Sequence, residues 1–219
     1  NSVIRDNREH GLLGDAHSLT IEGTTFEANN PSGGGREHGV YLGGHGTNLR
    51  VIGNRFIRNS APGGTCDGGN FTVHGEWDGM LIEGNLIEQT ASTGGCYGMS
   101  ITAAYDAGYT EFFRNLVVRG NTFVNLGNCS VCLSSAPGAL VEGNRIFNTQ
   151  AAFHLGVQIP AIPPGPGDVA DGGAVIRDNL ICHTAPAATS DAVRAPSAGS
   201  ITGNTYRTGA DATTGPCAR

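Results

Sequence analysis

Short runs in which apolar and polar residues alternate recur along the whole chain, separated by glycine, asparagine and proline. Period-two alternation of this kind predicts β-strands that are half buried on one face. The clearest runs are 40–42, 71–74, 99–102 and 131–134. No apolar period of 3.6 residues persists and glycine is frequent, so the pattern does not favour helices.

A four-residue motif follows these runs: an apolar or β-branched residue, any residue, Gly or Asp, and then Asn. It occurs eight times, and its fourth residue is Asn in seven copies and Thr in one: Asn7, Thr24, Asn54, Asn85, Asn121, Asn144, Asn179 and Asn204. The mean spacing of about 28 residues is typical of solenoid coils. The uneven spacing indicates loops of variable length on a constant framework of strands.

The repeat predicts an all-β fold, a single-stranded right-handed parallel β-helix (solenoid) of about eight coils. Coils stacked about 4.8 Å apart would pair each strand in parallel with its neighbours. The Asn residues would lie at a sharp turn, where stacked amides can hydrogen-bond between coils. One inward row is expected to contain Val40, Phe71, Met99, Val131 and Phe153.

The helix is predicted over residues 1–208, and residues 209–219 are predicted to form a C-terminal tail packed on or beyond the last coil. The segment 8–13 recurs as 36–41, which predicts that these segments lie on adjacent coils. The stretches 104–115 and 158–173 are predicted to be irregular loops that wall a groove. The first coil lacks a capping element, so we expect further residues before Asn1, or another subunit covering that end.

On the strength of the recurring motif, the chain resembles the pectate-lyase-like superfamily of right-handed parallel β-helix proteins, from Ile4 to about Tyr206. The resemblance implies that a polysaccharide binds along the outward face of the stacked strands. One fold of this kind carries many activities, so the function has to be argued from individual residues.

Composition narrows the range of partners. The net charge is −6, all 13 basic residues are arginine, and no basic run occurs, which argues against nucleic acid and anionic membranes. No stretch approaches the roughly 20 apolar residues of a membrane span, so membrane insertion is not expected. The predicted partner is a polysaccharide, and the oligomeric state remains open.

Six cysteines in a glycine-rich chain favour disulfides and an extracellular or periplasmic location. Cys182 is a predicted partner of Cys217. Cys96 has two candidate partners, Cys66 and Cys129. Since Cys129 and Cys132 form a CxxC without a second such pair, we interpret them as structural rather than as a zinc site.

Aligning the coils on their Asn turns brings titratable and aromatic residues together on one face. The predicted outward rows contain Tyr41 and His154 in one row and His74 in the next, with His45 beside Glu76 on the neighbouring coil. We predict four catalytic residues: Tyr41, His45, His74 and Glu76. Six residues are predicted to bind substrate: Arg36, His38, Trp77, Tyr105, Asp106 and His154.

These side chains fit chemistry on a uronate, the carboxylate-bearing sugar of many acidic glycans. A base would remove the proton next to the carboxylate, while donors neutralise the charge that develops there. His74 or Tyr41 would be the base or acid, Arg36 and His38 would hold the carboxylate, and His45 would be oriented by Glu76.

The function predicted first is a secreted polysaccharide lyase or epimerase acting on a uronate-containing glycan. A non-catalytic glycan-binding or adhesive solenoid, such as part of a surface protein or phage fibre, is the alternative. A glycoside hydrolase is third, since it needs two carboxylates about 5 to 10 Å apart and no spacing selects a pair. No cofactor or metal site is predicted; a calcium ion is compatible with the fold but not indicated.

Overall fold

The computed structural model of this chain describes residues 1–31, 37–60, 67–89, 95–103, 110–149, 155–160, 169–185 and 192–219, with Asp67 and Gly95 described by their backbone only. These residues form an all-β, solenoid-like arrangement of three parallel sheets. The predicted all-β class and the parallel stacking of strands are therefore confirmed.

The 22 described strands are numbered in chain order and divide among three sheets. Sheet A contains β1 (Val3–Arg5), β4 (Thr25–Glu27), β7 (Arg55–Ile57), β10 (Leu86–Glu88), β13 (Thr122–Val124), β16 (Arg145–Asn148), β19 (Leu180–His183) and β22 (Thr205–Thr208). Sheet B contains β2 (Leu12–Asp15), β5 (Val40–Gly43), β8 (Asp67–Val73), β11 (Gly95–Ile101), β14 (Cys129–Leu133), β17 (Leu155–Gln158) and β20 (Val193–Arg194). Sheet C contains β3 (Thr20–Glu22), β6 (His45–Ile52), β9 (Glu76–Glu83), β12 (Phe112–Arg119), β15 (Leu140–Glu142), β18 (Val175–Arg177) and β21 (Ser200–Thr202).

The core lies between the three sheets and is filled by their inward side chains. The predicted inward row is confirmed for its first four members, which pair strand to strand and are buried: Val40, Phe71, Met99 and Val131. The fifth predicted member, Phe153, lies outside the described residues, and Val157 is the residue that pairs with Val131.

A ladder of buried asparagines connects the turns between sheets C and A. From Asn85 onward, each Asn side-chain oxygen accepts both the backbone N–H and the side-chain amide of the preceding rung. Asn121, for example, accepts both groups of Asn85 at 2.9 Å. The rungs are Thr24, Asn54, Asn85, Asn121, Asn144, Asn179 and Asn204. The ladder satisfies buried amides that would otherwise lack partners, and it fixes the stacking of the turns.

Asn7 does not belong to this ladder, although its motif predicted that it would. Strand β1 pairs with β4, so Ile4 lies beside Phe26 rather than beside Ile21. Asn7 instead donates its side-chain amide to Asn29 at 2.7 Å, and Asn29 donates to Asn59 at 2.9 Å. A second, shorter asparagine ladder therefore runs at the turn between sheets A and B.

Three adjacent long strands of sheet C change the direction of their side chains at one level. Asn48, Gly79 and Asn115 lie beside one another in strands β6, β9 and β12, and their φ angles are 57°, 76° and 51°. A left-handed residue inside a strand interrupts the alternation of inward and outward positions. Consequently Trp77 points into the core on one side of this level, and Met80 does so on the other.

The tail contains two 3-10 turns, Gly209–Thr213 and Gly215–Cys217. It packs beside sheet A, where Ala212 and Cys217 are buried against Phe147 and Cys182. The predicted disulfide between Cys182 and Cys217 is confirmed.

The bond made by Cys129 decides between the two partners predicted for Cys96. Cys129 is bonded to Cys132, so it is not the partner of Cys96. Cys66 lies outside the described residues.

The predicted loop 104–115 is partly wrong, because Phe112 already begins strand β12.

Candidate functional site

Four aromatic rings, which we call the ring column (His10, His38, Tyr41 and His74), cross the outward face at strands β2, β5 and β8. The rings of His38 and Tyr41 are stacked with centroids 5.4 Å apart, and the rings of Tyr41 and His74 are also 5.4 Å apart. His10 lies 5.8 Å from both His38 and Tyr41. The predicted 28-residue register between adjacent coils is confirmed, since Leu13 pairs with Tyr41.

His38 is a neutral member of the ring column at pH 7. Its Nδ1 accepts the backbone N–H of Gly69 at 2.8 Å, which requires an unprotonated Nδ1. Burial, helped by the neighbouring His10 and His74, lowers the pKa of His38 from 6.5 to about 4. His38 therefore cannot serve as a cation for a substrate carboxylate at neutral pH, and only its Nε2–H can donate a hydrogen bond.

His74 forms a dyad with Glu111. The distance from His74 Nδ1 to Glu111 Oε1 is 3.1 Å, and the same oxygen accepts the backbone N–H of Gly75 at 2.8 Å. The Glu111 side chain is 4% exposed and that of His74 is 21% exposed. A buried carboxylate that accepts Nδ1–H fixes the imidazole tautomer and leaves Nε2 as the proton acceptor, the arrangement of a general base and its orienting acid.

Tyr41 keeps its proton at neutral pH. Burial raises the pKa of Tyr41, and the negative charges of Glu111 and Asp15 raise it further. A protonated phenol beside an oriented imidazole places a proton donor and a proton acceptor on the same face.

The backbone of Glu111 is held by the residues that follow strand β14. Ser135 Oγ donates to the carbonyl oxygen of Glu111 at 2.6 Å and accepts the N–H of Val169 at 2.9 Å. Asp171 caps the same segment by accepting the N–H of Ala136 at 2.9 Å. Burial raises the pKa of Asp171. These bonds hold the backbone that carries the Glu111 carboxylate.

Beyond Tyr41, the outward row of sheet B continues with smaller side chains. Thr72 is buried, and its Oγ1 has no hydrogen-bond partner within the described parts of the chain. Ser100 and Cys132 follow, and Gln158 pairs with Cys132. A cavity of about 190 Å³ lies over this end of the row, between Tyr97, Ser100, Thr102, Ala103, Cys132, Leu133, Ser134, Gln158 and Pro160.

A second concave region, the corner depression, begins where sheet B turns into sheet C. The predicted neighbours His45 and Glu76 pair across strands β6 and β9, and His45 Nδ1 lies 3.1 Å from Glu76 Oε2. The depression has a volume of about 340 Å³ and is lined by His17, His45, Gly46, Thr47, Glu76, Asp78, Phe112 and Arg114.

Two glycines make this corner, and they connect the corner depression to the dyad. Gly44 and Gly75 have φ angles of 91° and 96°, and a Cβ on Gly75 would collide with the Gly44 carbonyl oxygen. Only glycine allows such an approach with left-handed φ. Since Gly75 separates His74 from Glu76, the two His–Glu pairs lie on either side of one turn.

The predicted site residues have different outcomes. The structure brings Tyr41, His38 and His74 together, and it brings His45 to Glu76. Arg36, Tyr105, Asp106 and His154 lie outside the described residues; the position expected for His154 beside Cys132 is occupied by Gln158.

The prediction that Trp77 contacts substrate is wrong. Its side chain is 0% exposed, and its Nε1–H donates to the carbonyl oxygen of His74 at 2.9 Å. The indole therefore supports the backbone at His74 from inside. The left-handed residue Gly79 accounts for the inward direction, as described above.

The sequence did not predict Glu111 and Arg114 as site residues or His10 as a member of the ring column. Glu111 and Arg114 lie in the segment that was interpreted as a loop. The buried apolar residues Phe113, Leu116 and Val118 are the signal that could have extended strand β12 back to this point, although Asn115 interrupts their alternation. His10 belongs to the segment 8–13, which was predicted only to lie one coil from segment 36–41.

The described part of the chain contains neither a cluster of metal ligands nor a membrane-spanning helix. It contains no group of three or more His, Cys, Asp or Glu residues placed to hold a metal ion. None of its helices is long and apolar enough to cross a membrane.

Comparison of the chain with protein families, with curated proteins and with solved structures gives no match.

Proposed function

We propose that this protein is an exported carbohydrate-active enzyme, a polysaccharide lyase or epimerase acting on a uronate-containing glycan. We further propose a right-handed parallel β-helix of the pectate-lyase-like class with about eight coils. The observation that carries the functional proposal is the dyad, in which His74 Nδ1 lies 3.1 Å from the buried Glu111 carboxylate and the His74 ring lies 5.4 Å from Tyr41.

The position of these groups supports a polymeric substrate. The ring column and the polar row beyond it run across strands β2, β5, β8, β11 and β14 on one outward face. A row that repeats the same outward position from strand to strand can contact several successive residues of a long chain. Export is supported by two disulfides in the described residues.

In the lyase reaction, Nε2 of His74 takes the proton from C5, the carbon that carries the carboxylate. The electron pair of the C5–H bond forms the C4=C5 double bond, and the bond from C4 to the glycosidic oxygen breaks. Tyr41 donates its proton to that oxygen, and Glu111 stabilises the imidazolium that forms on His74. His38 contributes an Nε2–H to the charge that develops on the carboxylate.

In the epimerase reaction the first step is the same, but C5 receives a proton on its opposite face and the glycosidic bond stays intact. Tyr41 would then protonate carbon rather than oxygen. The two reactions differ in whether the proton of Tyr41 lies closer to O4 or to C5 of the bound sugar.

The experiment incubates the protein with uronate and neutral polysaccharides and follows ultraviolet absorbance, reducing ends and exchange of C5 hydrogen with deuterated water. Absorbance and reducing ends that rise together identify a lyase. Exchange alone identifies an epimerase. Glu111→Gln is expected to abolish most of either signal, whereas Glu22→Gln, an exposed glutamate outside the face, leaves it unchanged.

A non-catalytic glycan-binding solenoid is the second candidate, and one observation favours it. The Nδ1 atoms of His10 and His38 accept the backbone N–H groups of His38 and Gly69, at 3.0 and 2.8 Å. These bonds stabilise the stacking of strands whether or not chemistry occurs. Glycan binding without absorbance, reducing ends or exchange would establish this function and refute the enzymatic one; reducing ends without absorbance would indicate a hydrolase.

A further inference from the structure

We propose that the corner depression is a sugar-binding subsite that recognises two vicinal hydroxyl groups of one pyranose ring, through Asp78 and Arg114. The proposal rests on the proposed function only for its assumption that the protein binds glycans. It assigns a binding role to two residues outside the ring column and the His74–Glu111 dyad.

The first support is the separation of two opposite charges that the strand register brings side by side. Asp78 and Arg114 are paired residues of strands β9 and β12, yet no ion pair joins them in the described chain. Asp78 instead accepts the side-chain amide of Asn115 at 2.6 Å. Arg114 places its guanidinium 4.4 Å from the centroid of the Phe112 ring.

Asn115 and Phe112 therefore keep the Asp78 carboxylate, an acceptor, apart from the Arg114 guanidinium, a donor, at the edge of the corner depression. A carboxylate can accept two hydroxyl protons, and a planar guanidinium can donate to two oxygens in a fixed fork. Two neighbouring hydroxyls of a sugar ring offer both complements, because each has a proton to donate and lone pairs to accept. The aromatic support of Arg114 limits its rotation, so less entropy is lost on binding.

The charge of the depression favours hydroxyls over a carboxylate as the recognised group. Glu76 and Asp78 contribute two carboxylates, and Arg114 contributes one guanidinium. A free anion would gain from Arg114 but would be repelled by the two acids at close range. Neutral hydroxyl groups meet no such repulsion, and they allow both members of the rim to participate.

The size and place of the depression also fit one sugar residue of a longer chain. Its volume of about 340 Å³ suits a single ring with some bound water. Gly75 alone separates His74 of the dyad from Glu76 of the depression. A glycan that crosses the corner from a reacting residue over His74 would therefore place another of its residues here, beside the ring column, and this subsite would select for unsubstituted hydroxyls on that residue.

The test uses nuclear magnetic resonance titration of the intact protein, without turnover. The probes are the methyl glycosides of glucose, galactose and mannose, their ethers methylated at the vicinal oxygens, methyl galacturonate and acetate. At tens of millimolar, at least one parent glycoside is expected to shift the amides of Gly46, Thr47 and Arg114, and its ether is not. Loss of a charge-assisted bond in Asp78→Asn or Arg114→Gln should weaken binding about tenfold or more.

Arg55→Gln, which removes an exposed arginine from sheet A, is the matched control and should bind as the parent protein does. The proposal is overturned if no parent glycoside shifts these amides, if an ether binds equally well, or if acetate reproduces the shifts. If the parent protein acts on no polysaccharide and His74→Ala still binds the glycoside, the subsite is supported and the enzymatic function is refuted. Cleavage without glycoside binding at these amides would do the reverse.

Discussion

Replacing Asn121 with alanine tests how far the asparagine ladder holds the solenoid together. Asn121 is fully buried at a central rung. Its Oδ1 accepts two bonds from Asn85, and its Nδ2 donates to the carbonyl oxygen of Ile82 and to Asn144 Oδ1, both at 3.0 Å. Alanine removes all four bonds and leaves the buried backbone N–H of Asn85 without an acceptor.

The cost follows from the groups that lose their partners. A buried donor or acceptor left unsatisfied costs about 1–3 kcal/mol, and the lost side chain also leaves a small cavity. We expect the free energy of unfolding to fall by about 3–5 kcal/mol, a large share of the roughly 5–15 kcal/mol of a typical domain.

The matched control is Asn204→Ala at the last rung. Asn204 is only partly buried, accepts from Asn179 and donates to the carbonyl oxygen of Ile176, and it is the last rung among the described residues. We expect a loss of about 1 kcal/mol there. Urea unfolding followed by circular dichroism and by the fluorescence of the buried Trp77 measures both variants. Equal losses at the two rungs, or a loss below about 1 kcal/mol for Asn121→Ala, would refute the argument from buried amides.

Three further predictions follow from the site and its turn. Glu111→Gln keeps the shape but removes the charge that orients His74, so kcat on the active polysaccharide should fall about a hundredfold, while Glu22→Gln retains the parent value in the same assay. Folding lowers the pKa of His38 from 6.5 to about 4, so between these pH values the unfolded chain binds more protons and the free energy of unfolding falls as the pH decreases. His38→Gln should reduce this fall by up to about 3 kcal/mol, and an unchanged slope would contradict the prediction. Gly75→Ala collides with the Gly44 carbonyl oxygen, whereas Gly84→Ala meets nothing within 4 Å; thermal melting should show a loss of several kcal/mol for Gly75→Ala and about 1 kcal/mol for Gly84→Ala, and similar losses would argue against close packing at the corner.

The parallel stacking was predictable because one short motif repeats the same local requirement on nearly every coil. The turn needs a left-handed residue followed by an amide, and Gly-Asn supplies both, as at Gly84 and Asn85. Asn7 shows the limit of this argument. Its motif satisfies the same local requirement at a different corner, and only the pairing of β1 with β4 distinguishes the two corners.

Those contacts of the candidate site that depend only on strand register could be predicted from the sequence. Those that depend on the direction of a side chain could not. Counting from the Asn turns places His45 beside Glu76 because both strands have the same number of residues up to their turns. The same counting misplaces Trp77, because the left-handed Gly79 lies between it and the turn. Glu111 reaches His74 from 37 residues away in sequence, and no local pattern marks such a contact.

The asparagine ladder also has a consequence for how a chain of this kind can change in evolution. Successive rungs are separated by as few as 23 residues and as many as 36, but the entropy of closing loops of these two lengths differs by only about 0.4 kcal/mol. A single buried rung is worth several times that amount. Insertions between rungs are therefore nearly neutral for stability while loss of a rung is not, so new loops beside the ring column can be acquired and tested one at a time on a frame that stays the same.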